Sequence, residues 1–196
     1  MMSWIEWIAV AITLLAVYLT TREIVWCWPI GMISVVLYAW VFLQAKLYAD
    51  MGLQALYFAL AAYGWWAWRH GGRHHDELTV SRTSARQRVA LFLIGATVGL
   101  TLGRVLSLLT DASLPFMDSM LTSFSIVGQW MQTRKLLEAW IVWLAVDVFY
   151  VGMFLYKGLY PTTALYALFL YLAALGFVRW RSSMIQTGGP ETEAIA

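Results

Sequence analysis

Charge and cysteine are both scarce in this sequence. Only 12% of its 196 residues are charged, whereas soluble domains carry about 25%. So little charge excludes a soluble domain, and no nucleic-acid partner is expected. The single cysteine, Cys27, excludes an intramolecular disulfide. No basic segment precedes the first apolar run and no small-residue cleavage pattern follows it, which predicts a retained helix and not a signal peptide.

Apolar residues are abundant instead. They make up 61% of the chain, the mean hydropathy is +0.68, and they fall into seven runs. Helices are predicted in these runs, because backbone exposed to lipid must satisfy its hydrogen bonds internally. The sequence therefore predicts an all-α integral membrane protein with seven transmembrane helices over residues 4–19, 24–43, 51–68, 89–109, 116–131, 136–156 and 162–180.

Basic residues predict how the helices cross the membrane. If the helices alternate, Lys46 and Lys157 fall on one side and Arg104 lies within the fourth run. Every other Lys and Arg falls on the opposite side, which is the cytoplasmic side by the positive-inside rule. The amino terminus is then outside and the carboxyl terminus in the cytoplasm.

The polar loop between the third and fourth runs carries all three histidines, His70, His74 and His75. A metal site is one interpretation. A solvated cytoplasmic loop is favoured, because no second cluster of ligands with metal spacing exists. Neither a metal nor a cofactor is expected.

An internal repeat organises the chain. Residues 21–70 align without a gap on residues 133–182, and many identical pairs are Trp, Tyr, Gly or Arg. The repeat predicts three helices, a linker helix and three more helices, with both triplets in the same orientation. Such parallel repeats place a ligand between the halves in some transporters. The predicted units are residues 1–70, 71–114 for the loop and linker helix, 115–182, and a flexible tail over 183–196.

The sixth run contains the strongest candidate for a binding site. Asp147 lies near its middle, where a carboxylate is disfavoured by about 2.5–3.5 kcal/mol unless it meets a partner, a cavity or a ligand. Helical spacing places Trp140, Trp143, Tyr150 and Phe154 on the same stripe. A carboxylate among aromatic faces suits a flat organic cation. The structural alternative is an Asp bonded to a Tyr or Trp of another helix.

Further candidates lie on other runs. Gln54 and Tyr57 share a stripe on the third helix, and Tyr166 on the seventh helix is the repeat counterpart of Gln54. Gln54 either contacts a ligand or bonds another helix. The fifth helix has a polar face that includes Thr122 and Gln129.

Two groups of residues have structural interpretations. Glu6 and Asp118 either attract cations to the outer mouth or complement helix N-termini. Trp65, Trp66, Trp68 and Trp180 lie near the cytoplasmic ends of helices, and most of them are expected in the interfacial aromatic belt.

Two paired motifs resemble the Pnu family of vitamin transporters. The first half shows Leu47-Tyr-Ala-Asp-Met-Gly-Leu-Gln54-Ala-Leu-Tyr57 and then Tyr63-Gly-Trp-Trp-Ala-Trp68. The second half shows Thr133-Arg-Lys-Leu-Leu-Glu138-Ala-Trp140-Ile-Val-Trp143-Leu-Ala-Val-Asp147-Val. The resemblance covers residues 3 to 182.

The resemblance implies a SWEET-like fold in a bacterial inner membrane. It also implies uptake of a vitamin-sized compound by facilitated diffusion, typically nicotinamide riboside, with trapping by a separate cytoplasmic kinase. Thiamine and, less so, riboflavin are the alternatives. Ligand contacts would come from Gln54, Trp140, Trp143 and Asp147. Family members carry Asp or Asn at the last position, so the resemblance does not require its charge.

A membrane enzyme acting on a small nucleoside or a lipid is the competing class. The histidines are confined to one loop and Asp147 has no evident acid–base partner, so no enzyme is predicted. The expected partners are a small vitamin and the lipid bilayer, and a homo-oligomer is compatible with the sequence.

Overall fold

The computed structural model describes residues 4–44, 48–72, 76–109, 114–156, 158 and 160–186. Within these residues the chain forms seven α-helices, which confirms the predicted all-helical class. The helices are α1 (Trp4–Thr21), α2 (Cys27–Gln44), α3 (Tyr48–His70), α4 (Ala85–Leu109), α5 (Pro115–Thr133), α6 (Ala139–Tyr156) and α7 (Tyr160–Gln186).

Most predicted boundaries differ from those of the structure by a few residues, and two of the differences have a clear physical cause. Helix α6 begins at Ala139 and not at Leu136, because a tight turn precedes it in which Lys135 adopts a φ of 49°. Helix α7 continues to Gln186, so residues 183–186 do not belong to a flexible tail. Met184 is buried in the main apolar cluster, and this packing extends the helix. Residues 187–196 lie outside the described part.

The helices present apolar surface to their surroundings, as a membrane protein requires. Four of them, α2, α4, α6 and α7, are long and apolar enough to cross a bilayer. Large apolar side chains such as Phe92 on α4 and Phe149 on α6 are more than half exposed. Such side chains are stable there only when lipid or another apolar surface covers them.

Helix packing closes a ring. Among the described residues, α1 packs against α2, α2 against α3, α3 against α5, α5 against α6, α6 against α7, and α7 against α1. Helix α4 packs against α5 and lies outside this ring. Its glycines allow the close approach: a Cβ on Gly99 would lie 2.5 Å from the Met120 sulfur on α5.

The segment before α4 is docked on the bundle and is not simply a solvated loop. Val80 and Thr83 are buried. The Thr83 backbone N–H and hydroxyl both donate to one Glu138 carboxylate oxygen at 2.8 Å. The Leu137 N–H donates to the Ser81 carbonyl at 2.9 Å. The prediction of a solvated loop is therefore wrong for residues 80–83, and the predicted histidines His74 and His75 lie outside the described residues.

Four tryptophans form a continuous chain of ring contacts, here called the tryptophan cluster. Trp28 contacts Trp68, Trp68 contacts Trp180 and Trp180 contacts Trp140, with ring centroids 5.3–5.7 Å apart. Trp68 is 2% exposed and Trp180 is 0% exposed, so their assignment to the interfacial belt is wrong. Their rings fill the space between helices. Trp65 and Trp66 are exposed, as predicted for belt residues.

The cluster joins corresponding positions of the two repeats. The Trp68 indole N–H donates to the Gln132 carbonyl at 3.0 Å. The Trp180 indole N–H donates to the Thr20 carbonyl, also at 3.0 Å. Residues 20 and 132 correspond in the repeat, as do residues 68 and 180. In each half of the chain, a backbone carbonyl at the corresponding position therefore accepts a hydrogen bond from a tryptophan of the other half.

A second contact joins two residues that correspond to each other. Glu23 and Lys135 occupy the same position in the two repeats, and both adopt left-handed backbone conformations, with φ of 57° and 49°. The Lys135 ammonium lies 3.2 Å from the Glu23 carboxylate and 4.7 Å from the centre of the Trp68 ring. A direct contact between equivalent residues indicates a pseudo-twofold relation between the segments that follow α1 and α5.

Candidate functional site

A compartment with a mostly apolar lining and several polar side chains lies inside the helix ring and has two lobes. The α6 lobe has a volume of about 270 Å³ and includes Asp147, Trp140 and Tyr150. The α2 lobe has a volume of about 430 Å³ and includes Gly31 and Gln54. Residues common to both linings join the lobes into one compartment: Thr13, Val17, Gln129, Gln132, Trp143, Tyr166 and Phe169.

The structure brings most predicted site residues to this compartment. Those in its lining are Gln54, Tyr57, Gln129, Trp140, Trp143, Asp147, Tyr150 and Tyr166. Thr122 does not line either lobe, but its side chain is a hydrogen-bonding neighbour of Tyr150. Trp140 is only 1% exposed and packs on Trp180, which fits the expectation that it is partly architectural.

Trp143 is held firmly at the junction of the lobes. Its indole N–H donates to the Gln132 side-chain oxygen at 3.0 Å. Gly128 on α5 lets the ring approach, because a Cβ there would lie 3.3 Å from the Trp143 ring. The orientation of the ring is therefore fixed before a ligand binds, so binding does not carry the entropic cost of ordering this side chain.

Asp147, Gln54 and Gln129 line the compartment, and their side chains form no hydrogen bond or ion pair with another described residue. Trp28 and Trp140 also line it, and their buried indole nitrogens have no hydrogen-bond partner among the described residues. Asp147 is only 5% exposed, although it lies in the middle of α6. The interpretation of Asp147 as bonded to a neighbouring Tyr or Trp, and of Gln54 as bonded to another helix, finds no such partner among these residues. Unpaired polar groups at this depth are stabilised by water or by a ligand.

Aromatic rings border the lobes on the side of Tyr150. Tyr150 stacks on Phe154, with centroids 5.7 Å apart, and contacts Tyr166 at 4.7 Å. The corresponding pair in the first repeat, Tyr38 and Phe42, stacks in the same way at 6.1 Å and lies along the α2 lobe. The compartment is thus flanked by the tryptophan cluster and by these repeated Tyr–Phe pairs.

Sequence reasoning missed several polar residues of the site, among them Gln132, Thr13 and Ser34. Gln132 orients Trp143. The Thr13 and Ser34 hydroxyls lie within hydrogen-bond distance of each other and of the Ala9 carbonyl, and their two protons serve two of these three contacts. A signal was available for Thr13, since its repeat counterpart is Ser125 on the polar face of α5. No periodic signal singles out Ser34, which is an isolated hydroxyl in an apolar helix.

The structure describes one of the two acidic side chains predicted at the outer mouth. Asp118 lies in the first turn of α5, where a carboxylate complements the helix dipole. The side chain of Glu6 lies outside the described part. Among the described residues no group of three His, Cys, Asp or Glu side chains could hold a metal ion.

Membrane helices that surround a compartment with unpaired polar groups define a multi-pass membrane transporter for a small molecule. The chain belongs to the nicotinamide mononucleotide transporter family, whose model matches residues 3–182.

Relatives with established names are transporters. The chain is similar to the nicotinamide riboside transporter PnuC of Escherichia coli (strain K12), with 28% identity over 95% of this chain and 89% of the relative. It is also similar to the riboflavin/roseoflavin transporter RibM of Streptomyces davaonensis, with 27% identity over 90% of this chain and 84% of the relative.

The fold is that of a solved structure. The crystal structure of the vitamin B3 transporter PnuC superimposes with a TM-score of 0.74 at 22% identity, and the match covers 94% of this chain and 83% of that chain. The family match confirms the resemblance found in the sequence motifs. The names of these relatives give different substrates, so we infer the ligand of this chain from its own site.

Proposed function

We propose that the protein carries nicotinamide riboside across the bacterial inner membrane by facilitated diffusion. The observation that carries this proposal is Asp147, a nearly buried carboxylate without a described partner, beside the fixed ring of Trp143. A cationic aromatic ring satisfies both groups, since a carboxylate and a π-face each attract positive charge. Relatives named nicotinamide riboside transporters support the same ligand.

The site disfavours the ligand of the riboflavin-carrying relative. A flavin ring is neutral, so it brings no positive charge to the Asp147 carboxylate, whereas the ring of nicotinamide riboside does. Thiamine is a cation and remains the closest alternative. Binding of nicotinamide riboside, thiamine and riboflavin to the purified protein, measured in parallel by calorimetry, tests the assignment. We expect nicotinamide riboside to bind most tightly, and a clear preference for either other vitamin would contradict it.

Transport is proposed to be passive, with trapping by a cytoplasmic kinase. Uptake of radiolabelled nicotinamide riboside into sealed proteoliposomes without a pH gradient should stop at equal concentrations on both sides. Recovery of chemically unchanged compound separates transport from an enzymatic reaction. Accumulation driven by an imposed pH gradient would contradict passive diffusion. Assembly into a homo-oligomer, which is compatible with the sequence, stays a prediction.

We also propose a SWEET-like arrangement of two parallel three-helix units, α1–α3 and α5–α7, with α4 as the linker. Support comes from the Glu23–Lys135 contact and the reciprocal bonds of Trp68 and Trp180, which join equivalent repeat positions. For the orientation we propose that the amino terminus lies outside and the carboxyl terminus in the cytoplasm. This proposal rests on the positive-inside rule, because most Lys and Arg residues fall on one side if the helices alternate.

Cysteine labelling tests this orientation. Ser182→Cys and Tyr160→Cys introduce thiols at exposed positions near opposite ends of α7, in a background in which Cys27 is replaced by alanine. In intact cells an impermeant maleimide should label Tyr160→Cys and leave Ser182→Cys unlabelled until the cells are permeabilised. The reverse pattern would overturn the orientation and, with it, the assignment of a cytoplasmic side.

Gln54 provides a test of the α2 lobe as part of the binding site. Its amide lines the lobe and has no described hydrogen-bond partner. We expect Gln54→Ala to weaken nicotinamide riboside binding by about 1–3 kcal/mol, because a ligand group bonded to the amide would lose its partner. Thermal stability should change little. An unchanged affinity together with lowered stability would show that Gln54 serves helix packing.

A further inference from the structure

One difference between the two lobes lies at the corresponding positions 31 and 143. Trp143 stands between the lobes, whereas its repeat counterpart is Gly31 on α2. A Cβ built on Gly31 would meet only the Cβ of Ala16, at 3.9 Å. The first repeat therefore lacks the ring that occupies the second. The larger volume of the α2 lobe, about 430 Å³ against about 270 Å³, accords with this absence.

The protein does not fill this space with another side chain. The Trp143 ring is tied to Gln132 by its indole N–H and packs against Gly128, so it stays on its own side of the junction. An open volume bordered by fixed groups can hold part of a ligand.

The chemistry of the α2 lobe differs from that of the α6 lobe. The position that corresponds to Asp147 is Val35, so the lobe carries no carboxylate there. Its polar groups include the Thr13 and Ser34 hydroxyls and the Gln54 amide, and the other polar side chains of its lining are neutral as well. The two protons of Thr13 and Ser34 are used in the contact between these hydroxyls and in their contacts with the Ala9 carbonyl, which leaves lone pairs on the hydroxyl oxygens as acceptors. Neutral acceptors and an amide suit a hydroxyl-bearing group without charge.

We propose that the α2 lobe binds the sugar part of the substrate and that Gly31 sets the size of the group it accepts. The proposal rests on the proposed function, in which the cationic ring occupies the α6 lobe. Gly31 is thus a specificity-determining residue: it keeps open the space that Trp143 closes in the other repeat.

A graded substitution series tests this assignment. Gly31→Ala, Gly31→Val and Gly31→Leu fill the lobe progressively, and Gly31→Ala has room for its methyl group. Binding is measured for nicotinamide riboside and for 1-methylnicotinamide, a cation with the same ring and a methyl group in place of the sugar. Gly152→Leu is the matched control, because Gly152 is an exposed helical glycine with nothing within 4 Å of a built Cβ.

We expect Gly31→Leu to weaken nicotinamide riboside binding by about tenfold or more, as a pocket does when it must reject an added group. Gly31→Ala should have a smaller effect in the same direction. Affinity for 1-methylnicotinamide should stay within about twofold throughout the series. Gly152→Leu should alter neither affinity, and thermal unfolding of each variant reports on folding.

Two results would overturn the assignment while leaving the proposed function intact. In the first, Gly31→Leu binds nicotinamide riboside as tightly as the wild type, so the sugar is elsewhere. In the second, it weakens both ligands equally, so the ring occupies the α2 lobe. A wild-type protein that does not bind nicotinamide riboside would refute the proposed function, and this proposal with it.

Discussion

The double variant Trp143→Ala, Asp147→Asn is expected to lose nicotinamide riboside binding by about a hundredfold or more. A desolvated cation–π contact is worth about 2 kcal/mol. Removal of a buried charge partner costs about 2–5 kcal/mol, and each 1.4 kcal/mol is tenfold in affinity. Both side chains line the α6 lobe, and the Trp143 ring is held by Gln132. Calorimetric titration of the purified variant measures the loss.

The single variants separate the two contributions, which need not add because the groups are neighbours. Trp143→Phe should retain more affinity than Trp143→Ala, because it keeps a flat face but loses the bond to Gln132. Asp147→Asn keeps the shape of the side chain and removes its charge. Its effect should be larger for nicotinamide riboside than for dihydronicotinamide riboside, a neutral compound of nearly the same outline.

Three outcomes are informative about Asp147 and helix α6. A larger loss for the cation indicates that the charge of Asp147 serves the ligand. Equal losses for the cation and the neutral analogue would show that Asp147 acts only through hydrogen bonds. Full binding by the double variant would remove α6 from the site and contradict the proposed function at its centre.

Gly176→Ala is expected to lower thermal stability, although alanine is the better helix former. A Cβ on Gly176 would lie 2.5 Å from the ring of Trp140. Trp140 is 1% exposed and in contact with Trp180, so a shift of its ring would disturb the packing of the tryptophan cluster. Overpacking of this kind costs about 1–3 kcal/mol, and the gain in helix propensity of at most about 1 kcal/mol offsets only part of it. The midpoint of thermal unfolding in detergent measures the change.

Two other glycines provide the comparison for Gly176. Gly64 is the repeat counterpart, and a Cβ there would lie 2.6 Å from the ring of Trp28, so Gly64→Ala should destabilise to a similar degree. Gly152 has open space around it, so Gly152→Ala should be neutral or slightly stabilising. If all three alanine variants behaved alike, the close approach of tryptophan to glycine would not be a source of stability.

The tryptophan cluster and the compartment depend on the same helices. Trp28 and Trp140 take part in the cluster and also line the α2 and α6 lobes, respectively. Substitutions at Gly64 or Gly176 should therefore change ligand affinity as well as stability. Asp147→Asn should lower affinity without lowering stability, because it removes a buried carboxylate that has no described partner, so the two measurements distinguish packing residues from ligand contacts.

The sequence by itself determined the helical class, the seven helices of the described residues and part of the lining of the compartment. Seven long apolar runs can satisfy their backbone groups in lipid only as helices. Helical spacing placed Asp147, Trp143 and Tyr150 on one stripe, because residues three and four apart share a helix face. The paired motifs around Gln54 and Asp147 resembled the family that the family match confirms.

Only the tertiary structure decided which side chains of those helices face the compartment and which fill the core. Trp66 and Trp68 lie two residues apart on α3, yet Trp66 is 57% exposed and Trp68 is 2% exposed. Composition cannot distinguish them, because a tryptophan at a helix end suits the membrane interface as well as a packed core. The burial of Trp68 depends on Trp28, Trp180 and the Gln132 carbonyl, which come from three other helices. The same holds for Ser34 and Gln132, whose partners lie on the adjacent helices α1 and α6 and come within hydrogen-bond distance only when consecutive helices pack together.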